Sequence, residues 1–270
     1  MCTFEIINYG RLGNVILTLI TFFKIINRLR INNPIICVPI DYKVNIRYEN
    51  KFYNNYLQDN LPLFENIRNI FYLKSEIKDK TNKIYLGKDF LLNFFSEYFS
   101  KCTDFELYNI FNYSKHVQCE GFQKLEYKIN DFDVIFNDEI IIKNLMRKLC
   151  YNKDIISSRK YKHEFKCIAL PIRRGDMILY RGSKSVDDIL TIITKIKTKY
   201  KDHVIILYSD DEKWCLENFS NLDNVMIHNN YTYDYENFIS LSNCNMIYPN
   251  DLHSTFIQCA ILLNRCIYEN

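Results

Sequence analysis

Phe165-Lys166-Cys167-Ile168-Ala169-Leu170-Pro171-Ile172-Arg173-Arg174-Gly175-Asp176 is the stretch that decides the fold. The apolar run reads as a buried strand over 165–172. Two adjacent arginines, a turn glycine and an aspartate stand where that strand ends. In an open α/β sheet, ligands bind at the carboxyl ends of the strands. Arginine offers a planar fork of donors that matches phosphate oxygens two at a time. Arg173 and Arg174 therefore point to an anionic ligand, with a diphosphate as the expected one.

Downstream, the same unit repeats. A helix is expected over Val186 to Tyr200, then a strand from Val204 to Tyr208 that leads into Ser209-Asp210-Asp211. A helix to Phe219, a strand Val225 to His228 and a helix Tyr235 to Ser242 follow. The strand Met246 to Tyr248 leads to His253-Ser254-Thr255, which opens a helix reaching Leu263. Alternating strands and helices of this length predict a parallel sheet with helices on both faces. Three polar clusters then fall just after strands and share one sheet edge: Arg173/Arg174/Asp176, Ser209/Asp210/Asp211 and His253/Ser254/Thr255.

Upstream, Thr3 to Ile7 reads as a strand and Asn8 to Asn14 as a loop with glycines at 10 and 13. Val15 to Arg28 reads as a helix, and Ile35 to Pro39 as a second strand, giving a βαβ opening. Residues 45 to 130 are mixed, with aromatic-rich segments such as Phe90 to Phe99. Phe136 to Tyr151 reads as a helix, and Asn152 to Glu164 as a polar linker. The expected division is a first α/β domain over 1–155 and a second over 156–270.

Each cluster also has a plain structural reading. Adjacent strand residues face opposite sides, so one of the two arginines meets the ligand and the other orders the loop. Ser254 is a natural N-cap, but a helix N-terminus with free N–H groups is equally an anion site. Asp210 and Asp211 suit a helix start; in nucleotide-binding sheets an acidic residue at a strand end also meets a base or ribose. The turn around Arg11, Gly13 and Asn14 is not G-x-G-x-x-G, and no G-x-x-x-x-G-K-[ST] occurs, which argues against nicotinamide and P-loop chemistry.

The 270 residues are 48% hydrophobic, enough for one large domain or two smaller ones. A net charge of +3 lacks the clustered basic face of a nucleic-acid binder. The 10 cysteines form no C-x-x-C pair and lie mostly in apolar segments, as expected of reduced core thiols. His163-x-x-x-Cys167 and His116-x-x-Cys119 are each half of a metal site without a partner pair at zinc-like spacing. Asp131-Phe132-Asp133 is a lone D-x-D. No metal is expected. The apolar run Val15 to Phe23 is too short to span a bilayer and no signal peptide opens the chain, so a soluble cytoplasmic protein is expected.

The set of motifs resembles the alpha-1,2-fucosyltransferases and their relatives among the alpha-1,6- and protein O-fucosyltransferases. The residues that carry the resemblance are Gly10-Arg11-Leu12-Gly13-Asn14-Val15, Pro171-Ile172-Arg173-Arg174-Gly175-Asp176, Ser209-Asp210-Asp211 followed by Trp214, and His253-Ser254-Thr255-Phe256. They run in the family's order from residue 10 to 256. The family's histidine before the arginines is Pro171 here, and its glutamine after Gly-Asn is Val15.

The resemblance implies an α/β, GT-B-like architecture of two Rossmann-like domains whose parallel sheets face a cleft. It implies GDP-fucose as donor, a glycan acceptor, inversion at the anomeric carbon, and neither metal nor cofactor. Carried over, Arg173 contacts the donor phosphates with Arg174 in support. Asp210 or Asp211 meets the guanine or its ribose. Ser254 and Thr255, with His253 before them, hold the diphosphate, and Arg11, Gly13 and Asn14 close the site from the first domain. Asp176 is the nearest carboxylate, but two arginines beside it weaken it as a general base, so it either serves as that base or orients an arginine. Glu5 is another candidate base. Two other readings stay open: a GT-B transferase with another nucleotide sugar, and a nucleotide-sugar or glycan-binding protein without catalysis, for which Pro171 and the short segment after the last motif are the motive.

Overall fold

A computed structural model describes residues 3–8, 12–17, 19–20, 35–38, 44–46, 51–53, 71–73, 83–86, 116–120, 158–175, 178, 182–250 and 254–268. Arg11, Asp176 and His253 lie outside these residues, as do Asp131, Asp133 and the helix expected over Phe136 to Tyr151. The chain forms two compact units, one of Met1–Val44 with Phe52–Asn152, the other of Asn45–Lys51 with Lys153–Asn270.

The first unit holds a five-stranded sheet. Its strands are β1 (Thr3–Asn8), β2 (Ile35–Val38), β5 (Phe71–Leu73), β6 (Lys83–Leu86) and β7 (His116–Glu120). They lie in the order β5-β2-β1-β7-β6, every neighbouring pair parallel. β3 (Val44–Ile46) and β4 (Lys51–Tyr53) pair separately. His116 and Cys119, read above as half a metal site, are part of β7, which pairs with β1 on one side and β6 on the other. A helix, α1, occupies 12–17 and 19–20. It begins earlier than expected, so Gly13 and Asn14 belong to its first turn and not to a loop. Leu12, Val15, Ile16, Leu17, Leu19 and Ile20 are buried. A run apolar at nearly every position is a helix enclosed all round, which explains why no amphipathic start signal marks its true beginning.

The second unit is a four-stranded sheet of β8 (Cys167–Ile172), β9 (Val204–Ser209), β10 (Val225–Ile227) and β11 (Met246–Ile247). The order is β10-β9-β8-β11 and all pairs are parallel. The connecting helices are α2 (Val186–Lys199), α3 (Glu212–Phe219) and α4 (Asp234–Ser242), and α5 (Thr255–Tyr268) follows β11. The chain winds outward from β8 to β10 and then returns to add β11 on the other side. That reversal creates a switch point between β8 and β11, the place where open α/β sheets take their ligands.

Every residue of β8 is buried. Ile168, Leu170 and Ile172 join Ile205 and Leu207 against Ile189, Ile193 and Ile196 of α2 and Cys215 and Phe219 of α3. The two-residue side-chain period sends Cys167, Ala169 and Pro171 to the opposite face. Burying one isoleucine or leucine in this layer contributes roughly 1.5–3 kcal/mol. Among the described residues, no helix is long and apolar enough to cross a membrane.

Candidate functional site

β11 pairs only with Ile168 and Ala169, so beyond Ala169 the β11 side of β8 is open. Proline lacks an N–H and is tolerated where a strand has no partner to receive it. Pro171 stands in that open stretch. Its carbonyl, which shares the side of the missing N–H, accepts a hydrogen bond of 3.0 Å from Nδ2 of Asn250. Lys184 Nζ in turn donates to the Asn250 side-chain and backbone oxygens, the latter at 3.1 Å. The end of β8 is thus finished by side chains, not by a longer ladder.

Arg173, Arg174 and Gly175 follow, all half-buried. Asp210, at the end of β9, takes two N–H groups of this turn on one oxygen: Arg174 N at 2.7 Å and Gly175 N at 3.1 Å from Oδ1. The Arg174 guanidinium lies 3.7 Å from the ring centre of Trp214, the chain's one tryptophan. Its Nε donates to Asp211 Oδ2 at 3.3 Å, and its Nη1 to Ser183 Oγ at 3.1 Å and the Lys184 carbonyl at 3.4 Å. Gly182 adopts φ 74°, a left-handed backbone that glycine takes at little cost, just before those two acceptors. Trp214 packs edge-on to Phe219, with ring centres 5.2 Å apart, and Phe219 is fully buried. A continuous chain of contacts therefore runs from the arginine turn into the core.

Asp211 is the N-cap of α3, accepting from Trp214 N at 3.2 Å, while its own N–H donates to Ser209 Oγ at 3.0 Å. Ser209 is buried, and its carbonyl accepts from Asn230 Nδ2 at 2.8 Å. Asp210 and Asp211, expected at a base or ribose, are thus engaged by the arginine turn and the start of α3. Arg174 likewise orders the loop, and Arg173 stands beside it at the strand end.

Ser254 is buried, and its carbonyl accepts from Gln258 N at 3.0 Å, opening α5 at Thr255. Helices α2, α3 and α4 each carry acidic residues in their first turns, namely Asp187 and Asp188, Glu212, and Asp234 and Glu236. The first turn of α5 carries none. Its positive end is therefore not offset by carboxylates of its own, which suits an anion. In the first unit, Gly13 is buried and Asn14 half-buried at the first turn of α1. Glu5 lies within β1, the middle strand of its sheet.

The sheet order brings the ends of β8, β9 and β11 to one edge, so Arg173, Asp210 and the start of α5 share it. Sequence reasoning missed Ser183, Lys184, Asn230 and Asn250 as the residues that finish this edge. Single polar residues in loops carry no periodic signal, and their partners are remote in sequence.

No family model matches the chain, and no curated protein matches it by sequence. Solved structures do match it in fold. The fucosyltransferase NodZ from Bradyrhizobium matches with a TM-score of 0.53 at 12% identity, over 97% of this chain and 92% of that one. The alpha-1,6-fucosyltransferase NodZ soaked with GDP-fucose gives 0.51 at 12% identity, over 97% and 93%. POFUT1 in complex with GDP gives 0.56 at 10% identity, over 99% and 96%. The chain shares with these fucosyltransferases an α/β, GT-B-like fold built on parallel sheets.

Proposed function

We propose that this protein is a fucosyltransferase that moves fucose from GDP-fucose to a hydroxyl of a glycan acceptor. The observation that carries the reading is the edge shared by Arg173 and the acid-free first turn of α5, at the switch point of the second sheet. The fold likeness to structures that hold GDP-fucose and GDP supports it.

The reaction on this reading is a single inverting displacement without metal, of the alpha-1,2 type. The acceptor oxygen attacks the anomeric carbon, the bond from that carbon to the β-phosphate oxygen breaks, and GDP departs with the electron pair. Charge grows on the diphosphate, where Arg173 and the N–H groups at Ser254 and Thr255 stabilise it. By the resemblance, His253, Arg11, Gly13 and Asn14 are further candidates for the donor. Arg174 acts as a positioning residue, with Asp210 and Asp211 fixing the turn that presents Arg173. In an oxocarbenium-like transition state the acceptor proton leaves late, so Asp176 or a carboxylate such as Glu5 serves as base without needing to be strong.

A second reading rests on Pro171, whose carbonyl is taken by Asn250 and which offers no polar side chain to a purine. It keeps the same chemistry with a different nucleotide sugar. Isothermal titration with GDP, GDP-fucose, UDP and ADP, with and without EDTA, separates the two. Guanine-selective binding unaffected by EDTA supports GDP-fucose. Binding of another nucleotide alone moves the donor, and an absence of nucleotide binding refutes both. For Arg173→Ala, the loss of one preorganised donor of about 3 kcal/mol lowers turnover at least ~100-fold with the fold intact. Near-normal turnover removes Arg173 from the site.

A further inference from the structure

Away from the ligand edge, the second unit gathers His163, Cys167 and Cys244. One ligand atom from each lies within 4.8 Å of the other two. Cys167 opens β8, His163 precedes it, and Cys244 stands between α4 and β11, so the trio comes from two remote segments. About 17 Å of extended chain separates Cys167 from the end of β8. Both thiols are fully buried and the imidazole is half-buried, which leaves it as the outward member.

We propose that His163, Cys167 and Cys244 form a site for a thiophilic divalent metal ion, zinc above all, that pins the approach to β8 against the α4–β11 turn. Zinc with thiolates at about 2.3 Å and imidazole at about 2.0–2.1 Å places neighbouring ligand atoms roughly 3.5–3.8 Å apart in a tetrahedron. The trio needs to close by only about an ångström. Tyr208 stands beside the trio, its hydroxyl 3.3 Å from His163 Nε2 and 3.6 Å from Cys244 Sγ. A water molecule reaching the metal beside the half-buried imidazole completes the set.

The surroundings hold these groups in place, as metal sites require. Cys167 N donates to Asn245 Oδ1 at 2.8 Å. The turn bearing Cys244 is clamped from α5, where Asn264 Nδ2 donates to the carbonyls of Ser242 at 2.8 Å and Cys244 at 2.6 Å. Tyr268 donates to the Asn243 carbonyl at 2.7 Å. His163 also bonds to the Ser240 backbone. The thiols bond to each other, which holds Cys167 below its ordinary range while burial pushes Cys244 up. A divalent ion bound by both sulfurs displaces the two thiol protons to solvent and replaces the hydrogen bond between them.

The test uses the full chain without a histidine tag, purified under reductant and stripped with chelator. Cobalt(II) is titrated and followed by its thiolate-to-metal charge-transfer band, then displaced with zinc. One equivalent with two-thiolate intensity is expected, and zinc should raise the melting temperature. Cys244→Ala should remove half the band. His163→Ala should weaken binding by more than the roughly 10–100-fold that loss of an outer-shell partner costs. Cys215→Ala, outside the cluster, should leave the band and the metal affinity unchanged. Should the variants misfold, the wild type decides alone: zinc should shield Cys167 and Cys244, but not Cys215, from maleimide in partial denaturant. No charge-transfer band, a band that survives both Cys244→Ala and His163→Ala undiminished, or no shielding reduces the trio to hydrogen-bonded core thiols and overturns the proposal.

Discussion

Arg174→Ala tests how the ligand edge is held. The substitution removes the guanidinium stacked at 3.7 Å on Trp214, its bond to Ser183 and its ion pair with Asp211. A desolvating cation–π contact contributes about 1 kcal/mol and the Ser183 bond about 1 kcal/mol. The ion pair, whose Asp211 end is about one-third exposed, adds no more than about 0.5 kcal/mol. Asp211 keeps its cap on α3, so that helix start is retained. The loss comes to about 2–3 kcal/mol. At 2–4 °C per kcal/mol for a chain of this size, the melting temperature should fall by roughly 4–12 °C. The assay is thermal unfolding by circular dichroism, with fluorescence of the sole tryptophan as a local reporter. Its native emission should change when the stacked cation goes. Arg174→Lys should rescue little, because an ammonium cannot reproduce the planar stack and fork. A melting temperature within 1 °C or so of wild type, with unchanged emission, would falsify this picture of the turn.

Three further outcomes follow from the same geometry. Asp210→Ala leaves two turn N–H groups without their acceptor and should cost about 1–3 kcal/mol, while Asp210→Asn, which keeps one carbonyl oxygen, should cost clearly less by chemical denaturation; equal losses would show that Oδ1 is not the acceptor that matters. Gly182→Ala meets open space, so its effect is the left-handed backbone alone, about 1–2 kcal/mol in a denaturant titration; a neutral result would mean the turn does not need φ 74°. Cys215, its thiol pushed up to about 11 by burial, should resist iodoacetamide at neutral pH until the protein unfolds, and peptide mapping that finds it labelled in the native state would contradict its place under α3.

How much of this was legible in the sequence depended on whether the signal was local. β8, β9 and α2 to α4 came out within a residue or two, because runs such as Val204 to Tyr208 are apolar throughout and flanked by polar turns. α5 runs beyond the expected end at Leu263 to Tyr268, and Asn264 in that added stretch clamps the carbonyls of Ser242 and Cys244. The strands from 44 to 120 carry no comparable signal in the sequence, where residues 45 to 130 read only as mixed. They are three to five residues long, and β7, His-Val-Gln-Cys-Glu, alternates polar and apolar residues as a surface strand does although it has a neighbour on each side. Only the sheet order reveals its position.

The site divided the same way. The residues that mark the edge, Arg173, Asp210 and Ser254, are recognisable because strand ends and helix starts are local features. What each carboxylate does there is not local. Asp210 looks equally apt for a ribose or a backbone amide, and only the fold shows that its Oδ1 takes the N–H groups of residues 174 and 175 from a different strand. The same holds for Cys167, which reads as an inert core thiol until the parallel pairing of β8 with β11 delivers Cys244 beside it. Pro171 joins the two scales. In sequence it is a departure from the motif of the fucosyltransferases, but in the sheet it sits where β11 has already ended, so the backbone bears no cost from the missing N–H. The strand itself therefore did not demand proline over histidine, and the reason for the exchange has to be sought in what the edge binds.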